Sequence, residues 1–211
     1  MKLAPSKPIL YLITRGATAE TTTATSAEFS EVLNQVSTAI AAGIDLIQIR
    51  EKRLTARVLF ELAERAVALA QGTSTRILIN DRGDVAAGAG AHGVHLTGRS
   101  ILARTIRKTF GDDFLIGVST HSVAEAVAAR DGAADFAVIG PIFETESKLK
   151  YGAPIGLETL SEAARRVAPF PLLALGGVSL ANAPQCLLAG ASGIAGISLF
   201  ADPDALKFGV H

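Results

Sequence analysis

The sequence predicts a (β/α)8 barrel, a closed parallel sheet of eight strands, and three observations predict it. Short apolar runs alternate with Ala-rich amphipathic runs along the whole chain, and eight of the apolar runs are strand-like. Most carry little alternation, which is the pattern of strands covered on both faces. Polar and charged residues collect at the C-terminal ends of those runs, where a barrel gathers its loops into one mouth.

The strands are expected over 9–14 (ILYLIT), 44–50 (IDLIQIR), 76–80 (RILIN), 92–96 (HGVHL), 114–119 (FLIGVS), 135–140 (DFAVIG), 171–176 (PLLALG) and 193–199 (GIAGISL). The first helix is expected over 27–42, where Phe29, Leu33, Val36 and Ile40 recur at helical spacing. The next is expected over 55–70, with Thr55 as its N-cap. A short Gly-rich helix is read over 83–90. A further one over 122–131 opens on Ser122 and places Glu125 three residues later, the spacing of a capping box. Helices over 157–167, 179–189 and 202–209 complete the set, and 18–25 (TAETTTAT) reads as a mobile loop. Right-handed crossovers and eight strands favour closure. The rival is an open dinucleotide-binding sheet, which needs a Gly-rich fingerprint after its first strand. Thr14-Arg15-Gly16-Ala17 is not one.

The chain has 211 residues, read as one domain, with 49% hydrophobic and 19% charged residues. Twenty basic residues balance twenty acidic ones, so no general attraction to nucleic acid or to an anionic membrane is expected. A small anionic ligand needs only a local cluster of charge. Cys186 is the single cysteine, read as a packing residue, and a reducing, cytoplasmic setting is the expectation. No window approaches the length of a membrane span, and the N-terminal apolar run is short for a signal peptide. Whether the chain forms a homo-oligomer is left open.

The strand ends supply the candidate site. Alternation puts Gln48, Arg50 and Lys52 on one side, either at the mouth or as solvated loop charges. Asn80 and Asp81 suit a turn, or a Mg2+ or phosphate site. His95 lies nearer the mouth than His92. Ser119 and His121 end the fifth strand, and Thr145, Ser147 and Lys148 offer donors in the long loop after the sixth. Gly176-Gly177, with a helix behind them, and Ser198 occupy the slots where such barrels hold a phosphate. Two anion regions result, one suited to a monophosphate and one to a diphosphate.

Together QIREK, INDR, HGVHL, GVSTHS, GPIFETESK, LALGG and GISLF resemble the thiamine phosphate synthase family, in that family's order and over nearly the whole chain. The resemblance implies a barrel enzyme. It would join 4-amino-2-methyl-5-hydroxymethylpyrimidine diphosphate to 4-methyl-5-(2-phosphooxyethyl)thiazole, giving thiamine phosphate and diphosphate. It implies that Arg50, Lys52, Asn80, Ser119, Thr145, Ser147 and Lys148 hold the diphosphate and that Asp81 binds Mg2+. Gln48 and His95 would lie near the pyrimidine, with Gly177 and Ser198 on the thiazole phosphate. One position departs from the pattern: Ser100 stands where the family has a second Mg2+-binding Asp, with the cationic Arg99 beside it. That departure raises two alternatives. One is the thiazole tautomerase branch, with His121 as its proton-transfer residue. The other is a non-catalytic paralogue that binds thiamine-related phosphates.

Overall fold

The computed structural model describes residues 7–144 and 153–201. Eight strands close into a barrel in sequence order, each parallel to both neighbours. They are β1 (Ile9–Ile13), β2 (Leu46–Ile49), β3 (Arg76–Asn80), β4 (Gly93–Leu96), β5 (Leu115–Thr120), β6 (Phe136–Ile139), β7 (Leu172–Leu175) and β8 (Gly193–Gly196). Between them run α1 (Ala27–Ala41), α2 (Ala56–Ala70), α3 (Gly83–Gly88), α4 (Ala103–Phe110), α5 (Val123–Asp131), α6 (Gly156–Val167) and α7 (Ala183–Leu188). A 3-10 turn, Leu199–Ala201, follows β8. No helix among the described residues is long and apolar enough to cross a membrane.

Alternation along each strand sorts the apolar residues into two cores. Ile9, Tyr11, Leu46, Leu78, Leu115, Phe136 and Leu173 pack inside the barrel. Their sequence neighbours, among them Leu10, Ile47, Ile77, Val94 and Ile116, pack outward against the helices. Cys186 belongs to this outer core, fully buried, and burial pushes its thiol up to about 11.

The structure differs from the sequence reading in four places. Strand β8 stops at Gly196, because Ser198 leads into the 3-10 turn. Helix α7 begins at Ala183, not at 179: Ser179 and Asn182 form a polar turn in which the Ser179 amide donates to Asn182 Oδ1 at 2.7 Å. No helix therefore starts directly behind Gly177. The segment expected to be loose, 18–25, is closed by its own hydroxyls. The Ala19 amide donates to Thr22 Oγ1 at 3.0 Å, and Thr18 and Thr22 are buried. Helix α4 has no counterpart in the sequence reading because it buries only Ile106. It is anchored instead by Arg107, which donates to the Phe114 carbonyl at 2.7 Å and to Asp135 Oδ2 at 2.6 Å.

Two expected caps form. Thr55 Oγ1 accepts from the Val58 amide, and Ser122 Oγ accepts from the Glu125 amide at 3.2 Å. Glu125 does not complete a box on Ser122. Its carboxylate reaches one residue further back and accepts from the His121 amide at 2.8 Å. The expected helix over 202–209 lies outside the described residues.

Candidate active site

Neighbouring strands carry Gln48, Asn80, His95 and Ser119 to the mouth end of the lumen, because the register pairs Asn80 with His95 and His95 with Gly117. Space for the imidazole comes from Gly117, where a Cβ would lie 2.6 Å from His95 Nδ1 and 2.4 Å from the Phe136 ring. The four polar residues meet through a fifth. Tyr11 Oη, fully buried on β1, is 3.2 Å from Gln48 Oε1 and 3.0 Å from His95 Nδ1. His95 Nε2 lies 2.9 Å from Ser119 Oγ, and Gln48 Nε2 donates to Asn80 Oδ1 at 2.9 Å. Tyr11 escapes a sequence reading because it sits inside ILYLI, where an aromatic reads as core. The one available signal is a hydroxyl on a lumen-facing position, which needs a partner when buried.

Burial, helped by the positive charge of Arg50, pushes His95 down to about 3. The ring is therefore neutral at physiological pH and serves as a fixed hydrogen-bonding element. Below about 6.5 the unfolded chain takes up a proton that the folded ring refuses until about 3. Stability contributed by keeping this ring neutral is complete above that window and is lost as pH falls through it, by up to about 1.4 kcal/mol per pH unit. Urea unfolding at pH 7 and at pH 4.5 is expected to show a shallower pH loss in His95→Gln than in the unsubstituted chain. Equal losses would show that another group sets the acid limb.

Above this floor stand the charges. Arg50 is half-buried, its guanidinium lying against Gly16. Lys52 is lowered by partial desolvation and by Arg50, with Asp81 acting in the opposite sense and Arg99 adding to the lowering. Three successive loops thus bring Arg50, Lys52, Asp81 and Arg99 into one electrostatic neighbourhood. Asp81 occupies the left-handed region at φ 63°, where its amide donates to the His95 carbonyl at 2.9 Å. A cleft of about 250 Å3 is lined by Lys52, Asn80, Asp81 and Arg82, among others. Arg82 is engaged by Asp84 at 2.6 Å, which holds that carboxyl at about 2.

The other candidates are distributed as follows. Gly177 sits at φ 67°, where a Cβ would lie 2.5 Å from the Glu144 carbonyl, so the turn requires glycine. Its carbonyl is held by Asn182 Nδ2 at 2.9 Å. Ser198 is exposed at the end of β8, on the same rim. His121 is half-exposed and faces Glu125, its Nδ1 3.3 Å from the carboxylate; no hydrogen bond among the described residues joins it to the lumen group. Thr145, Ser147 and Lys148 lie outside the described residues.

A profile described as thiamine monophosphate synthase matches residues 10–200. The chain belongs to the thiamine monophosphate synthase family. Among curated members of that family, the thiamine-phosphate synthase of Chlorobium phaeobacteroides is 35% identical over 205 residues, covering 96% of this chain and 94% of the relative. That of Roseiflexus sp. (strain RS-1) is 38% identical over 179 residues, covering 83% and 75%. The solved thiamine phosphate pyrophosphorylase from Pyrococcus furiosus superposes with a TM-score of 0.77 at 28% identity, covering 94% of this chain and 90% of that one.

Family membership makes Mg2+ the cation to test against these residues. Among the described residues no group of three or more His, Cys, Asp or Glu side chains could cage a metal. Ser100 is committed elsewhere, its Oγ accepting from the Thr97 amide at 2.7 Å to close the loop after β4. Asp81 remains as one exposed carboxylate beside the cationic cleft. That donor set fits a Mg2+ held by one carboxylate and by substrate phosphate oxygens, the usual pattern for this ion.

Proposed function

We propose that this chain is a thiamine phosphate synthase: a transferase that joins the aminopyrimidine-methyl diphosphate to the thiazole phosphate and releases diphosphate. Family membership supports the reaction. The observation that carries the site is the convergence of Gln48, Asn80, His95 and Ser119 on one hydrogen-bonded array, with Arg50 acting electrostatically on both His95 and Lys52 and Asp81 acting on Lys52.

The roles follow from charge and position. The C–O bond between the pyrimidine methyl and the diphosphate breaks, and negative charge grows on the departing oxygens. Arg50 and Lys52 face that charge, with Arg99 as a third cation nearby. Fixed cations in a partly desolvated cleft need little reorganisation as the charge develops, which is where such sites gain most of their rate. Asp81 would hold a Mg2+ that neutralises the leaving diphosphate when bound. The neutral His95 and the amide of Gln48 line the floor beneath the pyrimidine and orient it. The thiazole nitrogen supplies the electron pair for the new C–N bond, its phosphate anchored at the rim formed by Gly177 and Ser198. The tautomerase alternative would use His121, whose contacts run to Glu125 and away from the floor.

The test is a paired assay on the purified chain. With both synthase substrates and Mg2+, stoichiometric diphosphate and thiamine phosphate are expected. With the thiazole carboxylate phosphate tautomer, no aromatisation above the uncatalysed rate is expected. Absence of diphosphate in the first arm would overturn the assignment, and substrate binding without turnover in either arm would mark a non-catalytic paralogue.

A further inference from the structure

The array beneath the mouth is a chain of donors and acceptors with a direction. Ser119, His95, Tyr11, Gln48 and Asn80 are joined in that order by contacts of 2.9, 3.0, 3.2 and 2.9 Å. The two hydroxyls carry one proton each and the neutral imidazole carries one on its ring nitrogens. When Tyr11 donates to Gln48 Oε1, His95 must hold its proton on Nδ1 and give it to Tyr11. Nε2 is then bare, and Ser119 must spend its only proton there. Gln48 donates on to Asn80 Oδ1, so Asn80 turns its N–H groups to the mouth while Ser119 offers only lone pairs.

The same heavy-atom positions support the reverse direction. With both amides flipped, Asn80 donates to Gln48, Gln48 to Tyr11, Tyr11 to His95 Nδ1, and His95 Nε2–H to Ser119. Ser119 then offers its O–H to the mouth, and Asn80 offers its carbonyl. One proton has moved from Nδ1 to Nε2, the hydroxyls have rotated, and no proton is gained or lost. Every contact is satisfied in both states. A mixture of the two leaves a donor or an acceptor of the array unpaired, at the cost of desolvating that group without a partner.

We propose that this five-residue relay, pivoting on Tyr11, makes Asn80 and Ser119 opposite in hydrogen-bonding sense. The site thereby selects a ligand that is an acceptor at one end and a donor at the other. The inference rests on the function proposed above: a diphosphate oxygen takes the Ser119 O–H, and the N–H donor of the same substrate takes the Asn80 carbonyl. Tyr11 is a positioning residue, since it lies under the array and acts through Gln48 and His95. Asn80 on β3 and Ser119 on β5 flank His95 on β4, so a ligand seated over His95 lies between them.

The test reads the histidine tautomer directly. In protein carrying 15N-histidine, with the His95 signals identified by their loss in His95→Gln, the ring is expected as Nδ1–H in the free protein. Saturation with inorganic diphosphate is expected to convert it to Nε2–H. In Tyr11→Phe the relay is cut and Nδ1 loses its partner, so the ring is expected to stand as Nε2–H with or without diphosphate, and the tautomer to lose its response. An unchanged His95 tautomer in the unsubstituted protein overturns the relay, as does failure of inorganic diphosphate to bind there. A folded Tyr11→Phe whose His95 still switches from Nδ1–H to Nε2–H also overturns it. The unsubstituted protein decides the question even if Tyr11→Phe fails to fold. Turnover without a tautomer response sinks the relay and leaves the function standing; a response without turnover does the reverse.

Discussion

Glu51→Ala is expected to lower the melting temperature by about 10 °C and to loosen the loop between β1 and α1. Glu51 is 2% exposed. One carboxylate oxygen accepts from Thr14 Oγ1 at 2.7 Å and from the Gly16 amide at 3.1 Å. The other accepts from the Thr18 amide at 3.2 Å and from Thr18 Oγ1 at 2.8 Å. Truncation leaves these donors without an acceptor inside the fold, at about 1–3 kcal/mol for each that finds no substitute. A combined loss of about 3–5 kcal/mol converts to the stated shift for a chain of this size. Glu51→Gln keeps the shape and one acceptor oxygen but turns an NH2 towards donors, so an intermediate fall is expected. Thermal unfolding followed by circular dichroism measures both. A shift under about 2 °C for the alanine variant would mean that the loop closes without the carboxylate. The loop matters to the proposed site because Thr14 Oγ1 also accepts from the Arg50 amide at 2.8 Å, tying the clamp to the Arg50 backbone.

Glu51 shows where legibility ends. The strands could be read from the sequence because a doubly covered strand is mostly apolar over four or five residues, and the loops after them are polar because they face water. Position along the barrel axis was therefore readable, and it placed Gln48, Asn80, His95 and Ser119 at one mouth. Side-chain partners across the lumen were not readable, since they depend on the stagger between strands that are distant in sequence. Tyr11 meets Gln48 and His95 from 37 and 84 residues away. Glu51 escapes a sequence reading for a related reason. Alternation points it away from Arg50 and Lys52, which suggests solvent, whereas the loop after β1 folds over it. Helix α4 fails the same kind of reading from the opposite direction. Its fixing interactions are the hydrogen bonds of Arg107 to carbonyls and to Asp135, and no hydrophobic periodicity reports those.

The second large effect concerns rate. If the leaving diphosphate is stabilised by fixed cations, Arg50→Ala should cost about 10²–10³ in kcat/KM. The loss should appear mainly in kcat, because the charge on the departing oxygens is greater in the transition state than in the bound substrate. Arg50→Lys should recover only part, since an ammonium cannot offer the two parallel donors of a guanidinium. Folding should be nearly unaffected, as it is the Arg50 backbone amide, not its side chain, that Thr14 holds. The neighbours supply an independent check. Arg50 contributes to the lowering of both Lys52 and His95, so its removal should move both upward. Steady-state kinetics on Arg50→Ala and Arg50→Lys, beside an NMR titration of His95, tests both consequences. A fall of less than tenfold, or one confined to KM, would place Arg50 in ground-state binding alone. The charge that drives departure would then have to come from Lys52, from Arg99 and from any Mg2+ that Asp81 would hold.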